Sequence, residues 1–228
     1  MPETAPNTEL LRSLARLARG LSTLFWSLPT SLIVCAQTVR ADWLKSLGIL
    51  PPLVTTSLLV YGLWQMGHFQ KQERVWRKAL DRALFLGLVN AGLSPFLYWW
   101  SKVPTQPFFS AVVFLLGATG LLFLNHLNVV LQRLSAMLPD EALRQETKQF
   151  TTVNRILLLL ALLLAVLYLL LSRWPNPLPA PAVIGLSLLD RGSLALLIVL
   201  LILPLAVTMA LVWKTKEVIL ESLFEMPR

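Results

Sequence analysis

The side chains able to do chemistry in this chain are few, and most are amides or imidazoles. Gln65, His68, Asn90, Asn125, His126, Asn128 and Asn154 stand inside or beside long apolar runs. A polar group held in hydrocarbon is costly unless it faces another helix or a wet cavity. The set therefore has two readings: hydrogen bonds between helices, or a polar pocket open to one membrane face. His68 and His126 fall at similar depth on two segments expected to run the same way. They define a bis-histidine haem as an alternative, against the plainer expectation of no cofactor. Arg74, Arg77 and Arg155 flank the set, with Trp76 among them. These four are candidate contacts for an anionic headgroup or a protein partner.

Catalytic patterns do not assemble from what remains. No apolar run holds a pair of carboxylates, so general acid–base chemistry and carboxylate-coupled ion transport lack their usual groups. Gly92-Leu93-Ser94-Pro95 offers a serine, but the expected topology puts Ser94 toward one membrane face and the nearest base, His126, toward the other. Cys35 is the single cysteine, which excludes an internal disulfide and a cysteine zinc site. No H-E-x-x-H or phosphate-binding glycine loop occurs. The expectation is a protein with no enzymatic activity and no metal.

The elements that must position these residues are apolar. Hydrophobic residues make up 56% of the 228 and charged residues 14%, against about 25% charged in soluble domains. Segments 48–69, 83–100, 107–131, 153–171 and 193–213 each approach the ~20 residues that span a bilayer as a helix. Segment 21–39 is more polar. Leu10, Leu14, Leu17, Leu21, Leu24, Leu28 and Leu32 recur there and upstream at helical spacing, with Arg12, Arg16 and Arg19 off the stripe. That pattern also suits an amphipathic helix lying in the interface. The fold class is thus all-α, a polytopic transmembrane helix bundle of six spans, with five spans plus an N-terminal interfacial helix as the alternative.

Charge chooses between them. If 21–39 crosses, 15 Lys and Arg fall on one side and 5 on the other; if it does not, the split is 12 against 8. Lys and Arg concentrate on the cytoplasmic side, so six spans with both termini cytoplasmic is preferred, in a bacterial inner membrane. The net charge of +8 then reads as topology and lipid contact, and nucleic acid is not an expected partner. The organisation is a basic segment 1–20, a membrane domain 21–213 and a tail 214–228. An N-terminal leader cleaved after Ala36 is the competing reading of Val34-Cys35-Ala36.

The dense basic island at 70–82 reads as a short helix of its own, with Glu73–Arg77 and Arg77–Asp81 at i,i+4. Residues 132–152 read similarly, with Leu134, Met137, Leu138 and Leu143 as apolar contacts. Glu9, Arg12 and Arg16 are echoed by Glu141, Arg144 and Lys148, and more loosely by Glu73 and Arg77. The outer turns share Trp, a cation and prolines. Three helical hairpins from a triplicated unit is the sharp reading; the plain one is that any membrane hairpin needs these parts. Small residues offer packing faces at Ala83, Gly87 and Ala91, at Thr23, Ser27, Ser31 and Cys35, and at Gly117 and Gly120. Pro29, Pro95 and Pro204 are expected to kink their helices.

Two functions follow as expectations. The first is a non-enzymatic subunit or scaffold of a larger membrane complex, with anionic lipid and other membrane subunits as partners. The second is a small transporter, channel or lipid-handling protein using the polar pocket.

Overall fold

The computed structural model describes residues 8–69, 73–138, 140–172 and 201–221. Within them lie eight helices and no strand: α1 (Thr8–Arg40), α2 (Asp42–Lys45), α3 (Leu50–Met66), α4 (Arg74–Leu93), α5 (Phe96–Lys102), α6 (Pro107–Met137), α7 (Glu141–Ser172) and α8 (201–221). Three stretches are long and apolar enough to cross a membrane: Arg74–Lys102, Pro107–Met137 and Glu141–Leu167. The third outer turn, residues 173–192, and the first part of the last expected span, 193–200, lie outside the described residues.

α1 continues through the boundary drawn at residue 20. Its 33 residues make a rod of about 50 Å. Leu14, Leu17, Leu21, Leu24 and Leu28 are all buried, while Arg12, Arg16 and Arg19 stay exposed. The leucine stripe therefore faces protein. It lies antiparallel along α3, and the two backbones meet at Gly20 and Gly62. A Cβ built on Gly20 would stand 2.8 Å from the Gly62 carbonyl oxygen, and one on Gly62 would stand 2.9 Å from Leu24 Cγ. Glycine at both positions is what permits that approach.

The remaining packing is sequential. α3 lies on α4, α4 on α6, and α6 on α7. Gly87 of α4 meets Val60 of α3 and Phe123 of α6 at 3.3 and 3.4 Å from its would-be Cβ, so this small-residue face packs as expected. Phe25 of α1 and Trp213 of α8 meet with ring centroids 5.4 Å apart and planes tilted by 51°, which brings the last described helix back to the first.

The basic segments are not separate helices. α4 carries residues 74–82 and 83–93 as one rod. α6 and α7 likewise absorb residues 132–137 and 141–152. Leu134, Leu138 and Leu143, expected as surface contacts, are buried, and Met137 packs against them. Asp140 starts α7 by accepting the N–H groups of Ala142 and Leu143 at 2.9 and 3.1 Å, a helix N-cap. Rods of 31 and 32 residues exceed a ~30 Å hydrocarbon layer. Their surplus turns gather at the basic end, where Leu17, Met66, Trp76, Leu134, Leu143 and Ile219 form one core. Lys214 pairs with Glu146 there, and Arg144 donates to the Ala136 carbonyl across 3.0 Å.

Of the three expected kinks, one interrupts a helix. Ser94 and Pro95 form a turn between α4 and α5. Pro29 lies inside continuous α1 and Pro204 inside continuous α8. The outer turns use the residue types their sequences advertise. Gly48 takes φ +64° before α3, a left-handed conformation suited to glycine. Pro51 and Pro107 then sit in the first turns of α3 and α6, where their missing N–H costs nothing.

Candidate functional site

Two of the predicted polar residues converge. Asn128 of α6 and Asn154 of α7 are 1% and 0% exposed, and both reach the Thr208 hydroxyl of α8. Asn128 Nδ2 donates to Thr208 Oγ1 at 3.1 Å and Asn154 Nδ2 donates to it at 2.9 Å. Asn154 Nδ2 also donates to the Pro204 carbonyl at 3.1 Å, and Asn128 Nδ2 to the Leu124 carbonyl at 2.8 Å. Thr208 has one proton to give. Its nearest acceptor is the Pro204 carbonyl at 2.8 Å, with Asn128 Oδ1 at 3.3 Å. Three helices are thus joined through one hydroxyl. None of these groups titrates near neutral pH, and their hydrogen bonds tie the three helices together. Asn154 Oδ1 is buried without a partner.

Asn90 belongs to a different contact. It is 5% exposed, accepts the Thr119 hydroxyl proton at 2.7 Å and donates to the Thr119 carbonyl at 3.4 Å. This pair ties α4 to α6. One turn further on, Thr56 of α3 donates to Ser94 at 3.1 Å beside the α4–α5 break. Gln65 and Asn125 each bury a side-chain oxygen that has no partner. His68 and His126 each set Nδ1 against the carbonyl one turn back, Trp64 at 3.2 Å and Leu122 at 3.0 Å. The seven residues therefore do not line one pocket. Among the described residues no three His, Cys, Asp or Glu side chains gather closely enough for a metal.

The basic candidates separate as well. Arg74, Arg77 and Arg155 are exposed. Trp76 is 1% exposed, edge-on to Phe69 with centroids 6.4 Å apart, and its indole N–H has no partner. Trp76 is a core residue, which removes it from the surface contacts. Its neighbours in sequence are charged, but the continuous α4 turns it inward.

An apolar cavity lies elsewhere, in the half of the bundle away from the basic end. It measures about 380 Å³ and is walled by α1, α3, α4, α5, α6 and α8. Ser31, Cys35 and Ala36 of α1 face Val113, Gly117 and Gly120 of α6 across it. Leu97, Trp100 and Leu205 also line it. A Cβ on Gly117 or Gly120 would meet nothing within 4 Å. The expectation that these glycines pack against a neighbouring helix is corrected: they face open space. Cys35, expected as a packing residue, lines the same cavity. The small residues were visible in the sequence, but the gap opposite them was not.

No protein-family model matches this chain, and neither a curated protein nor a solved structure is significantly similar to it.

Proposed function

We propose that this chain is a six-span integral membrane protein with both termini on the basic, cytoplasmic side, serving as a non-enzymatic subunit or scaffold of a larger membrane complex. The observation that carries the reading is the Asn128–Thr208–Asn154 junction. Three buried polar side chains, one from each of α6, α7 and α8, are spent joining those helices, which makes a fixed frame. Support for the membrane setting comes from α7, whose Ile156, Leu159, Leu163 and Leu170 are exposed on an apolar rod. An apolar surface of that kind belongs against lipid or another membrane helix. The six-span count adds α1, α3 and α8 to the three stretches that qualify by length and hydropathy. Close antiparallel packing of α1 on α3 favours a crossing α1 over one lying flat.

Purification in mild detergent tests this reading. A partner should copurify in fixed ratio and be identifiable by mass spectrometry. A stable monomer with no partner protein would overturn it. The second reading, a lipid-handling protein, is favoured by one observation, the apolar cavity between α1 and α6.

A further inference from the structure

We propose that the cavity between α1 and α6 is a binding slot for one acyl chain of an anionic membrane phospholipid, with Arg40 at its mouth receiving the headgroup. The inference rests on the bundle being membrane-embedded, not on its belonging to a complex.

The shape of the cavity sets the occupant. Its lining runs from Leu28 to Val39 on α1 and from Val113 to Leu124 on α6. Each stretch covers about 16 Å of helix axis. A volume of about 380 Å³ drawn out along such a lining makes a narrow slot, suited to an extended hydrocarbon chain. The walls are overwhelmingly apolar, and the polar groups present are already satisfied. Asn90 bonds Thr119, Thr56 bonds Ser94, and Ser31 bonds the Leu28 carbonyl at 2.9 Å. Such a lining repels water. Close-packed interiors do not leave a void of this size unfilled without loss. Two of the wall residues, Ala36 and Gly117, are exposed, so the slot opens laterally, toward the lipid in a membrane.

The mouth supplies the charge. Ala36 lines the slot, and Arg40 follows it by one helical turn on the same face of α1. Arg40 is exposed and makes no ion pair among the described residues. A guanidinium there can take a phosphate oxygen in a charge-assisted hydrogen bond. An apolar slot ending at a cation matches an anionic lipid better than a neutral hydrophobe or a peptide helix, which is too wide.

The test uses the full chain and counts lipid by native mass spectrometry. The protein is purified in mild detergent after equilibration with vesicles of phosphatidylglycerol and phosphatidylcholine in equal amounts. Gly120→Leu and Gly117→Leu plug the slot from positions where a Cβ meets nothing within 4 Å, and thermal unfolding beside the wild type checks that both variants are folded. The wild type should retain one phospholipid, enriched in phosphatidylglycerol. Each plugged variant should retain it about tenfold less, the weight of roughly two lost methylene contacts. Arg40→Gln should keep a lipid but lose the preference for phosphatidylglycerol. No retained lipid in the wild type, or retention in both plugged variants equal to that of the wild type, overturns the slot. An unchanged preference in Arg40→Gln overturns the headgroup assignment. Retention of the wild type in alkaline-washed membranes is scored separately, so that failure of the membrane reading is not mistaken for failure of the slot.

Discussion

The side-chain amide of Asn154 donates to the Thr208 hydroxyl across 2.9 Å, with both residues fully buried between α7 and α8. Asn128 reaches the same hydroxyl from α6. Thr208→Val keeps the shape of the side chain and removes this shared oxygen. Two buried amides then lose a partner. In membrane bundles such bonds average about 0.6 kcal/mol and reach about 1.7. The variant should unfold about 1–2 kcal/mol more easily in an SDS titration of the detergent-solubilised protein. Asn128→Leu in the Thr208→Val background should then add less than it does alone, because the two share a bond.

The glycines divide into two classes that one substitution separates. Gly20→Ala drives a methyl to within 2.8 Å of the Gly62 carbonyl. α1 and α3 must part, at a cost of about 1–3 kcal/mol, as for other overpacked contacts. Gly120→Ala meets nothing within 4 Å and should be neutral or stabilising by up to about 1 kcal/mol from helix propensity alone. Thermal unfolding in detergent reads both. Equal effects at the two sites would contradict the packing described.

Trp76 and its charged neighbours make a similar contrast. Trp76→Ala should cost about 3–5 kcal/mol, the usual loss for a large buried aromatic. Trp76→Phe should cost far less, since the indole N–H has no partner to lose. Arg74→Ala and Arg77→Ala, at exposed positions, should change stability by less than about 0.5 kcal/mol. A Trp76→Ala variant as stable as the arginine variants would return Trp76 to the surface.

The Glu146–Lys214 pair joins the first turns of α7 to the second half of α8, with both side chains nearly half exposed. Glu146→Gln should cost no more than about 1 kcal/mol, and high salt should erase even that. Unfolding measured at low and high ionic strength checks it. A loss that survives high salt would mean the pair is more enclosed than its exposure indicates.

Much of this arrangement can be read from residue types and periods. The buried leucines of α1 follow a 3.6-residue repeat, and Asn128 and Asn154 stand out as amides in apolar runs. What the sequence hides is what stands opposite. Thr208 is a lone hydroxyl among aliphatics, and only the amides from two other helices make it a junction. Gly87 and Gly120 look alike in sequence, yet one is wedged between two helices and the other faces a gap. Trp76 reads as an interface residue because Lys and Arg surround it. Whether a helix stops at a charge cluster or runs through depends on partners that cover its apolar side. At the basic end Leu80, Leu134 and Leu143 provide that cover, so α4, α6 and α7 run on.

If α1 crosses the membrane, as proposed, residue 12 lies on the same side as the other basic segments. Single cysteines at Arg12, Lys102 and Arg144, introduced into a Cys35→Ser background, can be labelled with a membrane-impermeant maleimide from each side of sealed vesicles. Positions 12 and 144 should react together from one face and position 102 only from the other. Position 12 reacting with 102, and not with 144, would contradict that crossing.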